Sequence, residues 1–132
     1  MTALMVETSA YSAFKRGHPQ AVKALRTYPS LLLPVIVLGE LLGGFEAGTR
    51  REANRSELDA FLDSPRVAVV PISSATAERY AVLYAALRAA RQLVPTNDLW
   101  IAASAMEHGA ELLTLEAHFL RIGHIIVRHL ET

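Results

Sequence analysis

Cysteine is absent from the 132-residue chain. Its absence excludes disulfides, thiolate zinc sites and cysteine nucleophiles, and it is consistent with a reducing compartment. The chain also lacks an excess of charge of either sign, because thirteen basic and thirteen acidic side chains give a formal net charge of zero. A neutral protein does not attract polyanions over long distances, so contact with a nucleic acid would require a local basic patch.

No apolar stretch of the sequence is both long and uninterrupted. The longest, LLLPVIVLGELLGGF, contains Pro34 and Glu40 and is too short to span a bilayer. The N-terminal residues MTALMVE carry no basic side chain ahead of an apolar region, which disfavours a secretory signal. We therefore expect a cytoplasmic protein that makes no use of a membrane.

Three common catalytic motifs are missing as well. The sequence has no GxxxxGK phosphate loop, no GxSxG nucleophile elbow and no HExxH pair. Its five histidines include His118 and His124, which are close in sequence, but a zinc site would need further ligands. We interpret the histidines as structural or surface residues.

The sequence does contain an alternation of short apolar runs with segments of helical spacing. Strands are predicted at residues 3–6, 31–33, 67–70, 111–115 and 125–127, and the β-branched run 67–70 is predicted to be buried. Helices are predicted at residues 9–16, 20–27, 35–48, 49–62, 74–92 and 95–109, with a helical turn at 118–121. Thr49 and Ser73 or Ser74 are the expected caps of the fourth and fifth helices, and the fifth is expected to bury Tyr80, Leu83, Tyr84 and Leu87.

This alternation predicts an α/β fold with a mostly parallel sheet. A chain of 132 residues with 52% hydrophobic side chains suits one core, so we expect a single domain over residues 1–132. In such folds, functional sites form beyond the carboxyl ends of the strands. The polar side chains at those ends are therefore the candidates for function.

Four acidic side chains fall at or near that edge. Glu7 follows the first strand, and Glu116 follows the strand that contains LLTL. Glu40 lies in the apolar helix VIVLGELLGG, and Asp98 opens the helix in PTNDLWIAASA. Each has an ordinary explanation when taken singly, because Asp98 suits a helix dipole, a nearby arginine would satisfy Glu40, and acids are common at sheet edges.

As a set, the four acids favour a different explanation. Converging carboxylates repel one another unless a cation lies among them. Mg²⁺ and Mn²⁺ prefer oxygen ligands, activate water and neutralise charge that develops on phosphate. The pattern therefore indicates a divalent metal site suited to phosphate chemistry.

Three stretches of the chain resemble the VapC toxins of the PIN-domain family: MVETSAYSAFKRG, VLGELLGGFEAGTRREANRSELDAFL and VPTNDLWIAASAMEHGAELLTLEAHFLRI. The resemblance covers nearly the whole chain, and TNDLWIAASA followed by LLTLEAHF is its most specific part. It implies a three-layer α/β/α sandwich with a mostly parallel central sheet. It also implies a Mg²⁺- or Mn²⁺-dependent endoribonuclease that forms a homodimer and is held inactive by a VapB-type antitoxin.

The resemblance further implies roles for individual residues. The catalytic and metal-binding acids of the family correspond to Glu7, Glu40, Asp98 and Glu116. Polar positions that orient carboxylates or water correspond to Thr8, Asn97 and Thr114. The family usually has aspartate where Glu7 and Glu116 stand, and the extra methylene moves a carboxylate by roughly 1.5 Å. Because Mg²⁺ tolerates such a shift poorly, the alternative is a catalytically silent PIN-like protein that binds RNA or a partner.

Basic side chains close to these stretches are the candidate phosphate contacts. They are Lys15, Arg16, Arg50, Arg51 and Arg55. Arginine suits bidentate phosphate contact, but it forms surface ion pairs equally well. Arg55 and Asp59, for example, are four residues apart and would meet on one helix face.

Overall fold

A computed structural model describes residues 2–132 of the chain. The strands are β1 (Leu4–Val6), β2 (Leu31–Pro34), β3 (Val67–Val70), β4 (Glu111–Thr114) and β5 (Val127–His129). They form one sheet in the order β3-β2-β1-β4-β5, and every neighbouring pair runs parallel. The predicted parallel sheet is confirmed.

Six α-helices and one 3₁₀ helix connect the strands. The helices are α1 (Thr8–Lys15), α2 (Pro19–Thr27), α3 (Val35–Ala47), α4 (Arg51–Leu62), α5 (Ser74–Ala89) and α6 (Thr96–His108), and the 3₁₀ helix covers Ala117–Arg121. Crossovers between parallel strands are right-handed. Connections from β1 to β2 and from β2 to β3 therefore place α1–α4 on one face, and the reverse connection from β3 to β4 places α5 and α6 on the other.

The two central strands form the core of this α/β/α sandwich. Leu4, Met5 and Val6 of β1 are fully buried, as is Leu112 of β4. Strands covered on both faces by helices need continuous apolar sequence, which the runs LMV and LLT supply. Full burial of each of these large side chains contributes about 1.5–3 kcal/mol to folding.

Several local predictions are confirmed at the helix ends. Ser73 caps α5, because its hydroxyl accepts a hydrogen bond from the Thr76 amide while the Thr76 hydroxyl accepts one from the Ser73 amide. Gly109 ends α6 with a left-handed φ of 60°, the conformation that glycine adopts at little cost.

Other local predictions are wrong. The strand predicted to be buried, β3, lies at the sheet edge, where Ala68 and Val69 are exposed. Arg50 rather than Thr49 precedes α4 as its cap, and α5 ends at Ala89. Tyr84 is 48% exposed on α5, so it does not join the buried stripe to which Leu83 belongs.

The order of the strands determines where a site can form. β1 and β4 are neighbours, yet the chain leaves β1 toward β2 and leaves β4 toward β5, on the opposite side. Such a switch point opens a crevice beyond the carboxyl ends of the two strands.

Within residues 2–132, no helix is long and apolar enough to cross a membrane.

Candidate active site

Glu7 is the first residue after β1 and caps α1. It is 4% exposed, and its carboxylate accepts hydrogen bonds from the Ser9 hydroxyl at 2.5 Å, the Thr114 hydroxyl at 2.5 Å and the Ser9 amide at 3.1 Å. Burial raises the pKa of Glu7, and the negative charge of Asp98 adds to the rise, while the bonds from Ser9 and Thr114 oppose it. The net direction is upward, so the ionised carboxylate is disfavoured here.

Glu40 joins three helices at the same edge. The hydroxyl of Thr8 on α1 donates to its Oε1 at 2.5 Å, and the amide of Asn97 on α6 donates to its Oε2 at 3.4 Å. Glu40 is half-buried, and its partners are these neutral donors rather than an arginine. Within residues 2–132, no basic side chain forms an ion pair with Glu40.

Asp98 lies in the first turn of α6 and contacts a histidine. Nε2 of His118 donates a hydrogen bond to Oδ2 of Asp98 at 2.5 Å. Burial raises the pKa of Asp98, and the charges of Glu40 and Glu116 raise it further, while His118 opposes the rise. Nδ1 of the same histidine lies 4.0 Å from Oε2 of Glu116, so His118 stands between two of the acids.

Glu116 follows β4 by two residues and is the most exposed of the four acids, with a side chain that is 52% exposed. Its backbone amide donates to the hydroxyl of Thr114 at 2.9 Å. Thr114 is fully buried. Its hydroxyl holds in place both the backbone that leads to Glu116 and the carboxylate of Glu7.

The structure places the four predicted acids at the same edge of the sheet, where the charge of Asp98 raises the pKa of Glu7 and the charges of Glu40 and Glu116 raise the pKa of Asp98. The acids are not positioned to coordinate a metal ion together. Within residues 2–132, no three acidic or histidine side chains are arranged to hold one. Hydroxyls occupy one oxygen of Glu7, and His118 occupies one oxygen of Asp98. The all-oxygen donor set fits a hard divalent cation in its chemistry, while the present side-chain positions do not assemble the site.

Comparison with known proteins identifies the family to which this arrangement belongs. The PIN domain family model matches residues 4–125. This chain belongs to the PIN-domain family. Ribonuclease VapC2 of Rickettsia felis is 31% identical over 130 residues, which covers 95% of this chain and 96% of that protein. Ribonuclease VapC4 of Mycobacterium tuberculosis is 40% identical over 80 residues, which covers 61% of this chain and 62% of that protein.

A solved structure is also similar to this chain. The crystal structure of VapBC2 from Rickettsia felis, bound to a DNA fragment from their promoter, contains a chain similar to this one with a TM-score of 0.88 and 27% identity. The similarity covers 98% of this chain and 100% of that chain. The resemblance to VapC-type PIN domains, and the α/β/α sandwich that it implies, are thereby confirmed.

The PIN domain uses two polar residues at this edge that the sequence did not single out. The Ser9 hydroxyl donates to Glu7 and accepts from the Leu115 amide at 2.9 Å, so it ties α1 to the end of β4. His118 was interpreted as a structural or surface residue, and the structure shows that it contacts Asp98 at 2.5 Å. Both follow strand ends, so the rule that located the acids would have found them if it had been applied to every polar side chain.

The five basic candidates divide into two groups. Lys15, Arg51 and Arg55 pair with Glu57, Glu46 and Asp59 at 2.8, 3.1 and 3.2 Å. Arg16 and Arg50 form no ion pair within the described part of the chain. Among the candidates, these two arginines keep their charge available for an outside anion.

Proposed function

We propose that this PIN domain is a metal-dependent endoribonuclease, the toxin of a VapBC-type toxin–antitoxin pair. The observation that carries the proposal is a set of contacts between acids at the switch point of a PIN-domain sheet: Asn97, beside Asp98, bonds to Glu40, and His118 lies between Asp98 and Glu116. The relatives named Ribonuclease VapC support the reaction class. Hydrolysis of RNA phosphodiester bonds is the reaction that this acidic crevice suits.

The cofactor in this proposal is Mg²⁺ or Mn²⁺, which Glu7, Glu40, Asp98 and Glu116 would hold. Such an ion polarises a phosphate and lowers the pKa of a bound water. The chain's own polar groups set the acids in place: Thr8 and Asn97 orient Glu40, and Thr114 orients Glu7. The acids repel the RNA backbone in the absence of a cation, so productive RNA binding at the crevice depends on metal.

The partners in the proposal are an RNA substrate, a VapB-type antitoxin and a second copy of the chain as a homodimer, all in the cytoplasm. The antitoxin is supported by the similar chain in the VapBC2 complex from Rickettsia felis. Copurification with a VapB-type protein, and loss of RNA cleavage on adding it, are the expected results.

His118 acts in this proposal as a positioning residue for Asp98. We expect His118→Leu to lower cleavage by about 10–100-fold, the usual effect of removing a group that orients a metal ligand. His118→Gln keeps a side-chain donor and should retain most activity. Calorimetric Mn²⁺ affinity should fall in parallel in the leucine variant. Equal losses in both variants, or no loss in either, would contradict the positioning role.

One structural observation favours a second candidate function, a silent PIN-like protein that binds RNA or a partner. The carboxylate of Glu7 is held by Ser9 and Thr114, and by the resemblance Glu7 and Glu116 stand at positions where aspartate is usual.

Incubating the purified, antitoxin-free chain with mixed RNA in Mg²⁺, Mn²⁺ or chelator separates the two candidates. Cleavage with either metal but not with chelator supports the nuclease. Cleavage that appears only in the double variant Glu7→Asp and Glu116→Asp supports the silent protein.

A further inference from the structure

A basic cavity of about 270 Å³ lies between α1, α3 and α4, outside the acidic crevice. Lys15 and Arg16 line it from α1, and Arg50 and Asn54 line it from the start of α4. Among the described residues, the acid in its wall is Glu57, which is paired with Lys15 at 2.8 Å and whose pKa is lowered by Lys15 and by the charge of Arg50. In a chain with no net charge, this cavity therefore concentrates positive charge from the two free arginines, Arg16 and Arg50.

The wall of the cavity also contains an unsatisfied hydrogen-bond donor. Tyr11 is 3% exposed, and its hydroxyl has no hydrogen-bond partner within the described part of the chain. Its ring packs edge-on against Phe61, with centroids 5.3 Å apart. Burial and the charge of Glu57 raise the pKa of Tyr11 to about 12, so the hydroxyl keeps its proton at neutral pH. A buried polar group without a partner is costly, and an anion in the cavity would supply the missing acceptor.

One face of α1 relates the cavity to the acidic crevice. Thr8, Ser12 and Arg16 are spaced by four residues and therefore lie along the same face of α1. Thr8 bonds to Glu40 in the crevice, whereas Ser12 and Arg16 line the cavity. With a rise of 1.5 Å per residue, Thr8 and Arg16 are about 12 Å apart along the helix. A chain molecule that leaves the crevice along this face reaches the cavity.

We propose that this cavity binds a backbone phosphate of the RNA strand, away from the bond that is cleaved. The inference rests on the proposed function and adds the surface that holds the substrate. The guanidinium group of arginine can donate two parallel hydrogen bonds to phosphate oxygens. Asn54 and Tyr11 add neutral hydrogen-bond donors. The acids of the crevice repel RNA, so a separate cationic contact gives the strand its anchor.

Arg51 supplies a matched control on the same helix. It is adjacent to Arg50, but it is paired with Glu46 at 3.1 Å and lines a different cavity. Arg16, Arg50 and Arg51 are all exposed, so replacing each by glutamine leaves the core intact. Thermal unfolding of the three variants checks that the fold is retained.

The experiment measures binding of a labelled single-stranded RNA by fluorescence anisotropy, in an Asp98→Asn background that prevents cleavage. Arg16→Gln and Arg50→Gln are each expected to weaken binding about tenfold and to reduce the salt dependence of log K by about one contact. Arg51→Gln should bind like the background protein. Tyr11→Phe should weaken RNA binding while raising the free energy of unfolding, because the unpartnered hydroxyl is removed.

Four results would contradict the proposed phosphate site. The proposal is overturned if Arg16→Gln and Arg50→Gln bind RNA as Arg51→Gln does, if all three weaken it alike, or if the background protein binds no RNA. Inorganic phosphate that competes as strongly as RNA at equal phosphate concentration would also overturn it, because the cavity would then be a site for the free ion. Absence of cleavage by the wild type, together with selective loss of RNA binding in the two variants, would refute the nuclease and leave the phosphate site standing.

Discussion

Replacing Asp98 by asparagine is expected to lower metal-dependent RNA cleavage by about 10²–10³-fold, the range seen when one preorganised electrostatic group is removed from an active site. The charge of Asp98 raises the pKa of Glu7, and the charges of Glu40 and Glu116 raise the pKa of Asp98, so a cation at the crevice would be stabilised by the Asp98 carboxylate. Asparagine has the same shape and still accepts a hydrogen bond from His118. The measurement is the initial rate of cleavage in Mn²⁺ and in Mg²⁺.

Glu107 provides the control for this substitution. It lies near the other end of α6, where it accepts a hydrogen bond from the Thr76 hydroxyl, and an amide oxygen can accept the same bond. Glu107→Gln should therefore cleave RNA at the wild-type rate. A similar loss of activity in both variants, or an Asp98→Asn variant that retains full activity, would contradict the assignment of Asp98.

Replacing Glu7 by glutamine is expected to have opposite effects on activity and stability. Cleavage should fall by about 10²–10³-fold, because an anionic ligand is lost from the crevice. The free energy of unfolding of the metal-free protein near neutral pH should rise, because the amide is neutral where the carboxylate would be charged and buried; loss of the bond from the Ser9 amide, which a side-chain NH2 group cannot accept, opposes part of this rise. Burial and the charge of Asp98 disfavour the ionised carboxylate, whereas the glutamine oxygen still accepts from Thr114.

The stability gain should depend on pH in a defined direction. A carboxyl group whose pKa is raised by folding carries no penalty below its unfolded pKa, because it is protonated in both states. As the pH rises above 4.5, the unfolded state ionises freely while Glu7 in the folded state resists, so the wild type loses stability until the raised pKa is passed. The difference between Glu7→Gln and wild type should therefore grow as the pH rises above 4.5 and level off once the raised pKa of Glu7 is passed.

Urea unfolding in chelator across this pH range measures the difference. Comparing wild type with Glu7→Gln cancels the contributions of titrating groups that do not interact with Glu7, such as Glu111, whose pKa is lowered by its bonds from Tyr28 and Arg128. A difference that stays constant with pH, or a variant that is less stable than wild type at neutral pH, would refute the account of Glu7.

Most of the fold could be predicted because its central elements are locally consistent. The apolar runs that form β1 and β4, the cap at Ser73 and the glycine at 109 each specify their structure through nearby residues. The errors concern position in the sheet. The run 67–70 has a sequence suited to a buried strand, but strand order, which depends on the whole chain, puts β3 at the edge.

For the candidate site, the sequence predicted at which edge of the sheet the acids lie, and it did not predict the contacts that they make. The sequence indicated which acids follow strands, and the structure brings them to one crevice. It did not reveal that Glu7 would turn toward Ser9 and Thr114, or that His118 would contact Asp98. Those contacts join residues up to 107 positions apart, and they depend on side-chain rotamers that no sequence periodicity specifies.

Calorimetric titration of the chelator-treated, antitoxin-free protein with Mn²⁺, and then with Mg²⁺, tests most directly whether the four acids form a metal site. We expect saturable binding by the wild type that is lost in Asp98→Asn and in Glu40→Gln, and that is unchanged in Glu107→Gln. Absence of binding by the wild type, or binding that survives both crevice substitutions, would contradict the site.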